Sequence, residues 1–565
     1  MGVATIDIEE RVLASTGQIQ QRTTVFEHHN SVMNAGVLLA LPALISQGLL
    51  HAQQIYKPLS KGYYGFVHIL LLLAYMALSR IKNPEQLKTC PPGELGKIMG
   101  IDRVPEVKCL REKISQIVTQ NKAEEFERYL SEEWISREEC VYFYIDGHVR
   151  VYNGYKANLS KKYVSRQKLC LAGTTEYWVN DEKGLPFMVF TGELNERLKD
   201  AIENYIVPAL IEDTRSLIDE EQLKNNTLLP RFSLVFDREA YEPVFFARLW
   251  DKFRIAVITY RKNVKDKWDE KCFYKIDTEV IGKNVSMLIC EKQIVLSGHS
   301  FREIRKLGEG GHQTSLITTN QIISTKIATG KMFSRWSQEN FFRYLKQDFD
   351  FDKMIEYGVE TLNENISVVN PVYSQLSQKL KKLREKKARV DAKLFIVIED
   401  NIDANIDSVA DLLASQASLK DKQIELNNMI EETLKLRLQI PARIKLKDMP
   451  ELKRYNKLKH ESKLFMNTIK MIAYRAETAL VNIIKPFYKN SEKDGRQVIK
   501  EILKSDADII PDYFKNTLTI KIHSLSTNRT NFALEKLCEK INETETLYPE
   551  TNLKIIFKTV LNHFA

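Results

Sequence analysis

Val141-Tyr142-Phe143-Tyr144-Ile145-Asp146-Gly147 is apolar or aromatic at every position up to its aspartate. A strand with one wet face alternates apolar and polar residues, whereas a strand covered on both sides reads as a continuous apolar run. The segment therefore predicts the middle of an α/β sheet with helices on both faces. Asp146 falls where that strand runs out, and Gly147 permits a turn or a close approach. The same device recurs at Phe232-Ser233-Leu234-Val235-Phe236-Asp237, after which Arg238 to Phe253 has a helical pattern. In open α/β sheets ligands collect outside the carboxyl ends of the strands, so two such aspartates can face one another there.

A third acid sits in a different setting. Arg335 to Lys346 reads R-W-S-Q-E-N-F-F-R-Y-L-K. At 100° per residue, Arg335, Glu339, Arg343, Lys346 and Asp350 fall within roughly 80° of one another, and aromatic and leucine side chains cover most of the remaining circumference. Alone, the segment is an amphipathic helix with a salt-bridged face. With Asp146 and Asp237 it completes a set of three carboxylates in strand, strand and helix settings, which is a metal-site pattern.

These residues resemble the DDE transposases of bacterial insertion sequences, which use a ribonuclease-H-like fold. One large subgroup carries a helix signature Y-x2-R-x3-E-x6-K, and Arg335, Glu339 and Lys346 match three of its four positions, with Met332 where the tyrosine would stand. The segments Y-I-D-G-H-V-R-V-Y-N-G, L-V-F-D-R-E-A-Y and R-W-S-Q-E-N-F-F-R-Y are also similar to transposase segments, so the resemblance covers residues 140 to 360 most closely. It implies a metal-dependent enzyme that cleaves DNA at the ends of its own element and joins them to a target. Asp146, Asp237 and Glu339 would be its catalytic and metal-holding residues.

Hard divalent cations such as Mg²⁺ or Mn²⁺ take oxygen ligands and are usually fixed by one or two carboxylates plus substrate phosphate oxygens. Two ions about 3.5 to 4 Å apart suit an in-line displacement at phosphorus. Asp146 is expected to bridge both, with Asp237 and Glu339 each completing one. The attacking group would be water when a strand is nicked and a DNA 3′-hydroxyl when an end is joined. Arg335, Arg343 and Lys346 are candidates to grip adjacent phosphates, or else neutralise Glu339 and Asp350. His148 and Arg150, at strand alternation from Asp146, are either phosphate contacts or ordinary strand-face residues. Glu239 is read as a first-turn acid that complements the helix dipole.

Between the two aspartates, Leu169 to Val179 and Pro186 to Thr191 read as strands around a turn at Asn180 to Gly184. A helix follows from about Glu193 to Ile218, and Arg254 to Tyr260 supplies a further strand. That order suits a ribonuclease-H-like core over about 136–360. Glu339 lies much farther past Asp237 than one strand and one helix consume, so about 261–328 is expected to be a β-rich insertion. Its Gly308, Gly310 and Gly311 lack the GK[ST] of a phosphate loop and suggest a mobile turn.

The flanks read as helical. Residues 1–135 contain Gly93 to Met99, a break at Gly100 to Arg103, and Pro105 to Ile117 bearing Lys108, Arg111 and Lys113. This is either a helix-turn-helix for DNA ends or plain core packing. In 361–565, Leu376, Leu380, Leu383, Val390 and Leu394 approximate a heptad stripe that either pairs two protomers or folds back on neighbouring helices. The adjoining Lys381, Lys382, Arg384, Lys386, Lys387 and Arg389 could meet DNA or remain solvated.

Composition is compatible with this. The 565 residues allow three or four units at roughly 150 each. A formal charge of +9, from 83 basic and 74 acidic residues, permits nucleic-acid binding without requiring it. The seven cysteines form no CxxC pair, which argues against a zinc site or disulfide framework and for a reducing cytoplasm, which the resemblance implies is bacterial. Ala35 to Leu50 and Phe66 to Leu78 are shorter than the roughly 20 residues of a membrane span, and Met1 to Arg11 lacks the pattern of a signal peptide. The partners expected are the element's inverted-repeat ends and target DNA, a second copy in a homodimer, and no membrane. Two other readings fit the same motifs: a nuclease of this fold that does not join strands, and a non-catalytic DNA-binding scaffold derived from such an enzyme.

Overall fold

The double-sided burial read from Val141 to Ile145 is realised in β1, Tyr142–Val151. Phe143, Tyr144 and Ile145 are fully buried, and they divide between two cores. Phe143 and Ile145 join the larger one, while Tyr144 points to the other side and packs with Val235, Ile258 and Met332. In the computed structural model residues 7–138, 141–164, 167–192, 194, 196–351, 358–402, 409–451, 454–488 and 491–560 are described. Their side chains are described too, except at 336–339, 397–402, 409–412 and 491–493.

The architecture is mixed α/β. β2 (Leu169–Asn180), β3 (Pro186–Gly192), β4 (Ser233–Phe236) and β5 (Ala256–Tyr260) build the central part of a ten-stranded sheet around β1. Their order is β3–β2–β1–β4–β5, with β2 antiparallel to β1 and to β3. β4 runs parallel to β1, and β5 parallel to β4. The register sets Phe143 beside Leu234 and Ile145 beside Phe236, so Asp146 and Asp237 follow side by side. Only Asp237 stands at a strand end: β1 runs on through Asp146 to Val151 because β2 continues to pair with it, so the expectation that this strand runs out at Asp146 does not hold.

Between residues 261 and 328 the chain forms β6 (Tyr274–Val280), β7 (Lys283–Leu296), β8 (His299–Leu307) and β9 (Gln313–Thr318). β9 pairs antiparallel with β5, and β8, β7 and β6 continue the same sheet outward. A helix, Thr325–Ser334, then returns across the small core with Met332 fully buried.

The segment Arg335 to Lys346 is not one regular helix. Arg335 is the junction between Thr325–Ser334 and α1 (Trp336–Tyr344), and Leu345–Phe349 is a π-helical turn. The π turn is bonded from outside the segment. Arg80 donates to Asp348 at 3.3 Å and to the Tyr344 hydroxyl at 2.7 Å, and Lys470 donates to the Phe349 carbonyl at 2.7 Å. These partners come from the N-terminal region and from the helix Glu461–Ile484, so the pattern of the segment itself carries no sign of them.

The C-terminal region is not helical throughout. Ala507–Asp512, Thr517–Ile522 and Lys554–Thr559 are strands, and His29–Val32 completes their four-stranded sheet. Thr517-Leu-Thr-Ile-Lys-Ile522 alternates with period 2, burying Leu518, Ile520 and Ile522. Around Gly100, Leu110, Ile114 and Ile117 are core residues, Lys113 bonds the Ser60 carbonyl at 3.1 Å, and Arg111 pairs with Glu85. Phe66–Leu78 is buried at all 13 positions. Among the described residues, no single helix is long and apolar enough to cross a membrane.

Candidate active site

A cavity of about 950 Å³ opens along the second half of β1 and at the carboxyl end of β4, lined among others by Asp146, His148, Asp237, Glu239, Lys162 and Lys346. Each carboxylate is held by local backbone. The Gly147 N–H donates to Asp146 Oδ1 at 2.9 Å. The Glu239 N–H donates to Asp237 Oδ1 at 2.7 Å, so Asp237 caps the short Arg238–Ala240 turn. Thr259 on β5 donates to the Asp237 carbonyl at 3.1 Å.

The Asp146 carboxyl is pushed up to about 7, first by burial and further by the neighbouring charges of Asp237 and Glu239. Arg335, whose Nη1 lies 3.5 Å from Asp146 Oδ2, and the Gly147 N–H oppose that rise. Such a carboxyl is poised between charged and neutral forms, and a nearby cation would favour the charged one. Glu239 is likewise raised, by desolvation and by Asp237, against the lowering influence of Lys162 and Lys262. Desolvation lowers Lys162, which donates to the Leu194 carbonyl.

α1 is fixed across this end of the sheet by aromatic packing. His148 stacks on Phe342 with centroids 5.7 Å apart and planes 20° from parallel, and it also meets Phe351 at 4.8 Å. Trp178 of β2 meets Phe341 edge-on at 5.6 Å. Helical register puts position 339 one turn beyond Arg335 on the same face. The Glu339 side chain lies outside the described residues.

The remaining candidates separate by environment. Lys346 is exposed in the π turn at the cavity wall, and Arg343 is exposed and donates to Asn340 at 2.9 Å. His148 packs among rings. Arg150 is 3% exposed and pairs at 3.1 Å with Glu176, which is fully buried. Glu239 is the acid that sequence reasoning set aside. A Cβ added to Gly147 would come within 3.3 Å of the Glu239 carboxylate, so this side chain lies over the residue following Asp146 rather than serving only the dipole of its own turn. Its signal was the D-x-E spacing directly after a buried strand. Lys162, reached through a separate strand, had no comparable signal.

The donor set is all oxygen and crowded with negative charge, which fits a hard divalent ion better than a soft one. Among the described residues, no group of three or more His, Cys, Asp or Glu side chains is arranged to hold a metal ion. Asp146, Asp237 and Glu239 share the one cavity, and the Glu339 side chain is not among the described ones.

No curated protein and no solved structure matches the chain. Residues 2–561 match the profile of a family described as "Transposase protein", so nearly the whole chain is accounted for, and the chain belongs to this family of transposases.

Proposed function

We propose that this transposase cleaves and joins DNA at a ribonuclease-H-like DDE site formed by Asp146, Asp237 and Glu339, acting on the inverted ends of its own insertion sequence. The strand order β3–β2–β1–β4–β5, with an antiparallel meander followed by two strands parallel to β1, supports that fold. What carries the catalytic assignment is the meeting of Asp146, within β1, and Asp237, at the end of the adjacent parallel strand β4, in one cavity and close enough for Asp237 to raise Asp146.

Asp146, Asp237 and Glu339 would hold Mg²⁺ or Mn²⁺, and when bound the ions would supply charge stabilisation to a phosphodiester undergoing in-line displacement. The chain's own groups do the positioning. Arg335 keeps the Asp146 carboxyl toward its ionised form. Lys346 and Lys162 set cations on the cavity wall where backbone phosphates would pass. The His148–Phe342 stack holds α1 at a fixed distance from β1, and with it position 339. In this reading a homodimer pairs two element ends in the bacterial cytoplasm.

The test is cleavage of a duplex ending in the nucleotides that flank the coding region, with Mn²⁺ or Mg²⁺ supplied. Asp146→Ala, Asp237→Ala and Glu339→Ala should each abolish cleavage and retain binding of the same duplex. Full activity in any one of them refutes the assignment. A precut end should yield joined products; cleavage without joining would reduce the proposal to a nuclease.

A further inference from the structure

Residues 358 to 460 leave the sheet as an arm. Its base is two short antiparallel pairings, Val359–Thr361 with Asn456–Leu458 and Ser367–Val369 with Arg443–Lys445. Beyond them α2 (Pro371–Ile402) and α3 (Val409–Leu438) run side by side. The leucine stripe of α2 is used within this arm. Leu380 and Leu383 are buried, and Gln423 of α3 donates to Asp391 of α2 at 2.6 Å.

On α2, Lys379, Lys382, Lys386, Arg389 and Lys393 recur at alternating steps of three and four residues. At 100° per residue they occupy a sector of roughly 80°, beside the leucine stripe rather than on it. All five are exposed. At 1.5 Å per residue the ladder is about 21 Å long. Between residues 379 and 393 no acid shares its sector. Glu385 sits farther round the helix and meets Lys381 at 4.0 Å, while Asp391 lies on the opposite flank with Gln423. A solvated helix usually intersperses both signs on one face, and this face carries one sign only.

The arm also continues from the active-site cavity. At its base Leu458 packs with Tyr152, Ala157 and Leu159, and Asn158 donates to the Arg454 carbonyl at 3.0 Å. The same stretch of chain supplies Asn153, Lys162, Tyr163 and Val164 to the cavity wall. A duplex leaving the cavity on that side would meet the arm.

We propose that the Lys379–Lys393 face of α2 is a second DNA contact, gripping the phosphate backbone of the duplex whose end occupies the cavity, without reading its sequence. This rests on DNA being the substrate, as the transposase reading has it. Evenly spaced cations without acids between them suit a polyanion, and each phosphate neutralised adds about 0.9 to the salt dependence of binding.

The experiment compares two double variants of the full chain that remove equal charge from one helix: Lys386→Ala/Arg389→Ala within the ladder, and Lys381→Ala/Arg384→Ala outside it. The probe is an arbitrary duplex of about 40 base pairs, titrated by fluorescence anisotropy between 50 and 200 mM salt, where phosphate contacts dominate. The ladder variant should lower the slope of log K against log[salt] by about two, and the control should leave it unchanged. Equal slopes in wild type and ladder variant, or equal losses in both variants, overturn the arm contact while leaving the DDE assignment standing. Failure of the wild-type chain to bind the duplex overturns both. Alanine favours helix and all four positions are exposed, and circular dichroism of each variant checks that the arm remains folded.

Discussion

Arg335 Nη1 and Asp146 Oδ2 stand 3.5 Å apart, with 13% and 17% of their side chains exposed. This separation is too long for a strong charge-assisted bond, so the guanidinium lowers the carboxyl without cancelling its burial and the charge of Asp237. Arg335→Gln removes that support. If ionised Asp146 is required for cleavage, the acidic limb of the pH–rate profile should move upward by on the order of one pH unit. An unmoved limb would show that Asp146 is not the group being titrated.

The same carboxyl links stability to pH. Its folded value, about 7, lies above that of an unfolded aspartate, so the native state carries the extra proton between about pH 4 and pH 7. Stability from this group is present below that window and falls as pH rises through it. Asp146→Asn has no such fall. In EDTA the variant should gain on wild type by on the order of 2 to 4 kcal/mol between pH 4 and pH 8, read from thermal midpoints at the two pH values. A constant difference across the range would contradict the raised carboxyl.

Much of this site was legible because β1 and β4 are buried on both faces, and an uninterrupted apolar run ending in aspartate announces that burial directly. The helix was legible only in part. Periodicity places Arg335 and Glu339 on one face, but the π turn that carries Lys346 is bonded by Arg80 and Lys470, which reach it from distant segments. Arg150 shows the same limit. Its buried pairing with Glu176 arises from the antiparallel register of β1 on β2, which places Arg150 opposite Thr174 and His148 opposite Glu176. The strand Thr517–Ile522 was a different case, since its period-2 alternation was present and the surrounding helical composition obscured it.

Glu477 shows how the far ends of the chain brace α1. It is fully buried, accepts from Arg80 Nη2 at 2.8 Å and from the Tyr344 hydroxyl, and lies 3.5 Å from Arg496. Glu477→Ala would leave two guanidinium groups facing an apolar gap. Loss of one partner from such a buried network costs about 3 to 5 kcal/mol. The variant should therefore melt at lower temperature and lose cleavage together with fold, whereas Arg343→Ala on the exposed face of α1 should leave the melting temperature unchanged.

Lys346 faces the cavity from the π turn and is exposed. As a phosphate contact it should contribute to capture more than to chemistry. Lys346→Ala is expected to weaken binding of a cleavable duplex and to reduce its salt slope by about one, with the cleavage rate at saturating DNA changed much less. A large fall in that rate with an unchanged slope would instead place Lys346 in the chemical step.

Gly147 is closely packed within the site. A Cβ there would lie 3.1 Å from the Tyr177 ring and 3.3 Å from the Glu239 carboxylate, while Tyr177 is tied through its hydroxyl to the Glu196 carbonyl at 2.9 Å. The ring cannot retreat freely, so Glu239 should yield first, carrying its negative charge away from Asp146. Gly147→Ala should then cost about 1 to 3 kcal/mol of stability through overpacking. It should also lower the apparent pKa of Asp146, because one of the charges raising it has withdrawn. Glu239→Gln supplies the comparison, removing the charge while keeping the shape: it should reproduce the downward shift of the acidic limb without the loss of stability. If the two variants moved that limb in opposite directions, Glu239 would not be acting on Asp146 through its charge.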